Sequence, residues 1–129
     1  MGYRSCVMAL IYPDEDHAEA MQPVYGQLKV LMNTTFKQVI EAWGEPKWHD
    51  DQCAMHFSFD DVKWYESYPD VQLFEDMRRK FNGDSDDGIP GYCVEFIRVG
   101  EDNDDVVEEH TGENNQYMLA VRREIDCNL

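Results

Sequence analysis

The amino-acid sequence predicts an α+β domain: a four-stranded, mainly antiparallel sheet with two or three helices on one face, in a ferredoxin-like element order. Three observations carry that prediction. Two segments repeat apolar residues at three- and four-residue steps, the spacing of a helix that buries one face. Other short segments alternate or run apolar, as strands do. These segments follow one another as strand, helix, strand, helix, strand, strand, and no break in composition divides residues 1–129 into more than one domain.

Tyr3 to Tyr12 reads as the first strand. Ser5, Val7, Ala9 and Ile11 alternate with Cys6, Met8 and Leu10, so both faces are largely apolar and the strand is central. Pro13 and Asp14-Glu15-Asp16 end it. Between Val24 and Trp43, Leu28, Leu31, Met32, Phe36, Val39, Ile40 and Trp43 form a helical stripe. Asn33-Thr34-Thr35 divides this stripe in two, with Thr34 or Thr35 as the new N-cap, and Gly44 and Pro46 stop it. Cys53 to Phe59 alternates as the next strand, Asp60-Asp61 turns the chain, and Val62 to Tyr65 adds a short strand. Ser67 caps a further helix that has Pro69 in its first turn, Asp70 completing the capping box and Val71, Phe74, Met77 and Phe81 on its buried side. Tyr92 to Val99 and Tyr117 to Ile125 are the last strands. Residues 82–91 and 100–116 read as acidic loops, the second a long hairpin connection or mobile flap.

Charge is the most informative feature of the composition. There are 27 Asp+Glu against 11 Lys+Arg, a net charge of −16. The acids crowd between Asp84 and Glu113, where Arg98 is the only cation. Such a field repels nucleic acid and membrane surfaces and speeds association with a basic partner. The same charge also suits a surface that is merely solvated. Trp43, Trp48, Trp64 and many Phe and Tyr exclude an acidic disordered tail, because these residues can bury a core.

The N-terminal residues lack the pattern of a signal peptide, and no stretch reaches the ~20 apolar residues of a membrane helix. Cys6, Cys53, Cys93 and Cys127 lie far apart with no C-x-x-C spacing, so reduced thiols and a cytoplasmic location are expected.

Catalytic signatures are missing: there is no phosphate-binding Gly-rich loop, no G-x-S-x-G and no H-E-x-x-H. Glu108-Glu109-His110 lies in a segment read as an open loop, and the acidic surroundings disfavour a cysteine thiolate. Neither acidic loop matches the EF-hand order of ligands. His49, Cys53 and His56 are close in sequence, but Cys53 and His56 would point to opposite faces of a strand, so no zinc site is expected. Neither a catalytic residue, a metal nor a cofactor is assigned. Trp64, Tyr65 and Tyr68 at a strand-to-helix junction are candidates for a contact patch, since Trp and Tyr dominate interface hot spots.

Three local patterns stand together: Met1-Gly2-Tyr3-Arg4-Ser5, Trp64-Tyr65-Glu66-Ser67-Tyr68-Pro69-Asp70-Val71, and Glu95-Phe96-Ile97-Arg98-Val99-Gly100-Glu101-Asp102 followed by Asp104-Asp105. Together they resemble a group of small proteins encoded by tailed bacteriophages. That resemblance implies a protein made in the cytoplasm of an infected bacterium, where small acidic proteins often bind and block host factors. The expected function is therefore non-enzymatic: binding to and inhibition of a host protein through its basic surface, in the strongest form by mimicking nucleic acid. The expected contact residues are Asp84, Asp86, Asp87, Glu101, Asp102, Asp104, Asp105, Glu108, Glu109, Trp64, Tyr65 and Tyr68. Direct nucleic-acid or membrane binding is not expected. The alternative is a structural or assembly protein that self-associates, with the acids as solvated surface.

Overall fold

The computed structural model describes residues 4–15, 18–81, 88–100 and 106–111. The elements run β1 (Ser5–Pro13), α1 (Ala18–Asn33), α2 (Lys37–Trp43), β2 (Lys47–His49), β3 (Ala54–Val62), α3 (Pro69–Lys80), β4 (Tyr92–Gly100) and β5 (Val106–Thr111). The strands form one antiparallel sheet in the order β2-β3-β1-β4-β5.

β1 is central, as its doubly apolar pattern predicts, and all nine of its residues are buried. Val7, Ala9 and Ile11 face the helices and join Met55 and Phe57 of β3 and Val94 and Phe96 of β4. Met21, Tyr25, Leu28 and Met32 of α1, Val39 of α2, and Phe74 and Met77 of α3 close over that face. Aromatic rings pack edge-on at its centre: Phe57 lies 5.1 Å from Phe74 at 82°, and Trp64 lies 5.4 Å from Phe74 at 80°. The opposite face carries Cys6, Met8, Leu10, Tyr12, Ala54, Cys93 and Ile97, also buried. Among the described residues no helix packs on this second face.

Several expectations are corrected. The described sheet has five strands rather than four. β2 is only three residues long, and β5 occupies part of the segment read as a loop. The strand expected over Tyr117 to Ile125 lies outside the described residues. Asp60-Asp61 is not a turn: β3 continues to Val62, and the register against β1 shifts between the Ser5–Val62 and Val7–Phe59 pairs. Asp61 absorbs that bulge in the left-handed region at φ 56°, which a short polar side chain tolerates, and Arg4 donates to its carbonyl at 2.9 Å.

The helix ends differ too. Neither Thr34 nor Thr35 caps α2; the cap is Phe36, and the Thr34 hydroxyl donates back to the Val30 carbonyl at 2.7 Å. α3 is capped by Tyr68, without a side-chain bond, rather than by Ser67. Pro69 begins it as expected, where a missing N–H costs nothing. Gly44 ends α2 at φ 89°, its N–H donating to Ile40.

The four cysteines are not all thiols. Cys53 and Cys93 are buried thiols, whereas Cys6 is disulfide-bonded. No described helix is long and apolar enough to cross a membrane.

Candidate functional site

A cleft of about 600 Å³ opens where α3 passes over the β4–β5 edge of the sheet. The sequence of α3 builds its inner wall. Val71, Phe74 and Met77 point into the core, which leaves Glu75 and Arg78, three residues apart, at the boundary facing β5. Arg78, Arg79 and Lys80 occupy the last turn of α3, where positive charge complements the helix dipole.

Arg78 is the centre of the cleft. Its guanidinium sits 4.0 Å from the centroid of the Phe96 ring, approaches Glu75 Oε2 at 2.6 Å and donates to Glu109 Oε2. The Arg78 side chain is 11 % exposed and that of Glu75 is 13 %, so this pair is largely removed from water. The approach to Glu75 lacks hydrogen-bond alignment: Glu75 Oε2 and Arg78 Nε remain without a hydrogen-bond partner. The other oxygen of Glu75 accepts the Trp64 indole N–H at 3.2 Å. Trp64 is thereby fixed by a polar tip and an apolar body, the latter packed on Trp43, Phe59 and Phe74.

The expected contact residues divide. Trp64, Tyr65 and Glu109 line the cleft together. Tyr68 stands beside them, its ring 5.1 Å from that of Tyr65 at 80°, and is 41 % exposed. Glu108 does not join them. In a strand, successive side chains point to opposite faces, and Glu108 pairs with Ile97 of the second face while Glu109 reaches Arg78 on the helix side. The expectation that Glu108 and Glu109 act from one loop is therefore corrected. Asp84, Asp86, Asp87, Glu101, Asp102, Asp104 and Asp105 lie outside the described residues. Residues not anticipated at the site include Glu66, Glu75, Asp76, Arg78, Arg79 and Arg98. Only the Glu75–Arg78 spacing could have flagged this cluster from sequence.

With Arg78 held by two carboxylates, the cleft presents aromatic surface from Trp64 and Tyr65 beside the exposed acids Glu66 and Asp76, while Arg79 and Arg98 stand elsewhere on its wall. That combination suits a cationic side chain, which gains from a ring face and from a carboxylate at once.

Two further polar groupings lie elsewhere. On the second face, the Tyr12 hydroxyl donates to the fully buried Glu95 at 2.6 Å, and His110 Nδ1 lies 3.3 Å from the other Glu95 oxygen. At the β2 end, Asp50 accepts from Tyr25 at 2.6 Å and from Lys29 at 2.9 Å. These bonds hold the Asp50 carboxyl below its ordinary range, and burial together with Asp50 pushes the Tyr25 phenol up. Burial, with Asp50 and Asp51 nearby, also pushes the Cys53 thiol up, the opposite of what a thiolate nucleophile needs. Cys53 belongs to the helix-side core and accepts from Gln22 at 3.2 Å, whereas His56 lies on the opposite face beside His49; the two are apart as expected, but Cys53 sits in the turn before β3, at φ 53°, rather than on the strand.

Comparison with known proteins adds no relative: no family model, no curated protein and no solved structure matches this chain.

Proposed function

We propose that this protein is a non-enzymatic acidic binding protein that engages a basic surface of a partner protein, a host factor if the phage-like sequence patterns reflect its origin. The observation that carries the reading is the cleft beside α3, where Trp64 and Tyr65 meet the acids Glu66, Asp76 and Glu109 in a chain of net charge −16. The long-range field supplies attraction and a fast encounter, and the cleft supplies a fixed place for an arginine or lysine of the partner. The opposite orientations of Glu108 and Glu109 reduce the row of carboxylates available for mimicking a phosphate backbone, so recognition of a basic protein segment is favoured over mimicry of duplex DNA. The order β2-β3-β1-β4, with helices between β1 and β2 and between β3 and β4, supports a ferredoxin-like reading of those four strands, with β5 added at the edge.

Affinity capture from bacterial lysate with the whole chain as bait, eluted in steps of salt, tests the reading. A single basic protein released sharply as salt rises is expected. A stable homo-oligomer with no such partner would overturn it in favour of self-association.

A further inference from the structure

His49, at the end of β2, and His56, in β3, are diagonal neighbours on the second face of the sheet, since His49 pairs with Ala54 and Lys47 pairs with His56. Their rings meet edge to edge. His49 Nε2 lies 3.4 Å from His56 Nδ1, with centroids 5.5 Å apart and planes 30° from parallel. Two imidazole nitrogens bound to one tetrahedral ion at ~2.0–2.1 Å are themselves separated by about 3.3–3.4 Å. An open groove of about 650 Å³, lined by Lys47, His56 and Ser58, reaches the His56 side of the pair, and His49 is itself only half-buried.

We propose that His49 and His56 form a two-histidine site for a borderline transition cation, of which Zn²⁺, Ni²⁺ and Cu²⁺ are the representatives, with water completing the coordination. Among the described residues no third histidine, cysteine or carboxylate joins them. Without the ion, one ring N–H is shared between the two facing nitrogens. On binding, a small turn of each ring about χ2 aims both lone pairs at the metal. To expose both lone pairs, the ring whose N–H faced its neighbour passes that proton through water to its own far nitrogen, so both neutral imidazoles then carry their protons on Nδ1 of His49 and Nε2 of His56 and none is lost overall. Imidazole selects these cations over Ca²⁺ and Mg²⁺, which the many surface carboxylates attract instead. The site is separate from the cleft beside α3 and does not depend on its role.

The test is calorimetric titration of the whole protein with Zn²⁺ in excess Mg²⁺, alongside ¹⁵N NMR of its four histidines. One equivalent of Zn²⁺ is expected to bind, with affinity falling about tenfold or more in His49→Gln and in His56→Gln. In the unaltered chain, the His49 Nε2 and His56 Nδ1 resonances are expected to take the shifts of metal-bound nitrogen. Unchanged affinity in both variants, or metal shifts at other histidines only, would overturn the assignment.

Discussion

Arg78, in the last turn of α3, donates to the Glu109 carboxylate of β5, so one guanidinium ties a helix to the outermost described strand of the sheet. The same guanidinium covers Phe96 and faces Glu75. Arg78→Met removes the charge and leaves Glu75 largely buried without a counter-ion, which is expected to cost about 3–5 kcal/mol. Arg78→Met combined with Glu75→Gln keeps an acceptor for Trp64 and removes the stranded charge, so most of the loss should return. Urea denaturation of the two single variants and the double reads this directly; equal loss in Arg78→Met and the double would contradict it.

The buried Glu95 depends on Tyr12. Tyr12→Phe keeps the ring and deletes the donor at 2.6 Å, leaving a fully buried carboxylate with one bond fewer. A loss of about 1–3 kcal/mol in unfolding free energy is expected. A neutral Tyr12→Phe would show that the hydroxyl does not hold Glu95.

Tyr92 gives an alkaline limb to stability. Burial pushes its phenol up from 10.0 to about 12, and its hydroxyl donates to the Val24 carbonyl at 2.9 Å. A folded pKa above the unfolded one means the contribution is complete below pH 10.0 and is lost as pH rises toward 12. Tyr25 is shifted in the same direction and extends that limb. Asp50 acts at the other end: its carboxyl is depressed from 3.8, so its contribution is present above that value and fades as pH falls below it. Thermal melts across alkaline pH should show a shallower decline in Tyr92→Phe than in the parent chain.

Alkylation in denaturant without reductant should label Cys53 and Cys93 and leave Cys6 unlabelled until a reductant is added. Labelling of Cys6 without reductant would show that the bond does not form. A persistent bond would also argue against folding in a strongly reducing compartment, on which the cytoplasmic expectation rested.

How much was legible follows from the length of each signal. The stripe from Leu28 to Trp43 and the doubly apolar β1 are long, and both lie within the expected elements, although α1 starts at Ala18 rather than near Val24 and runs through Pro23. β2 is three residues, Lys47-Trp48-His49, too short to show a period, and it exists because β3 offers an edge to pair with. β5 was hidden because Glu108, Glu109 and His110 are polar, yet two of them meet a charged neighbour: Glu109 meets Arg78, and His110 lies against Glu95. Trp64 and Tyr65 could be picked out as aromatic residues at a junction. Glu109, which lines the same cleft, is 31 residues from its partner Arg78, a contact that only the folded topology creates. His49 and His56 were close in sequence, with Cys53 between them and no metal site expected; their meeting required the hairpin of β2 and β3.

In the proposed function the acidic field acts through the cleft rather than everywhere at once. The most direct measurement compares binding of an arginine-rich peptide to two triple variants, each removing three negative charges from a net charge of −16. One carries Glu66→Gln, Asp76→Asn and Glu109→Gln in the cleft, and the other carries Glu19→Gln, Glu41→Gln and Asp60→Asn on exposed surface elsewhere. Affinity is expected to fall about tenfold further in the cleft variant than in the distant one. Equal losses in the two would contradict the account and leave the charge as a general property of the surface.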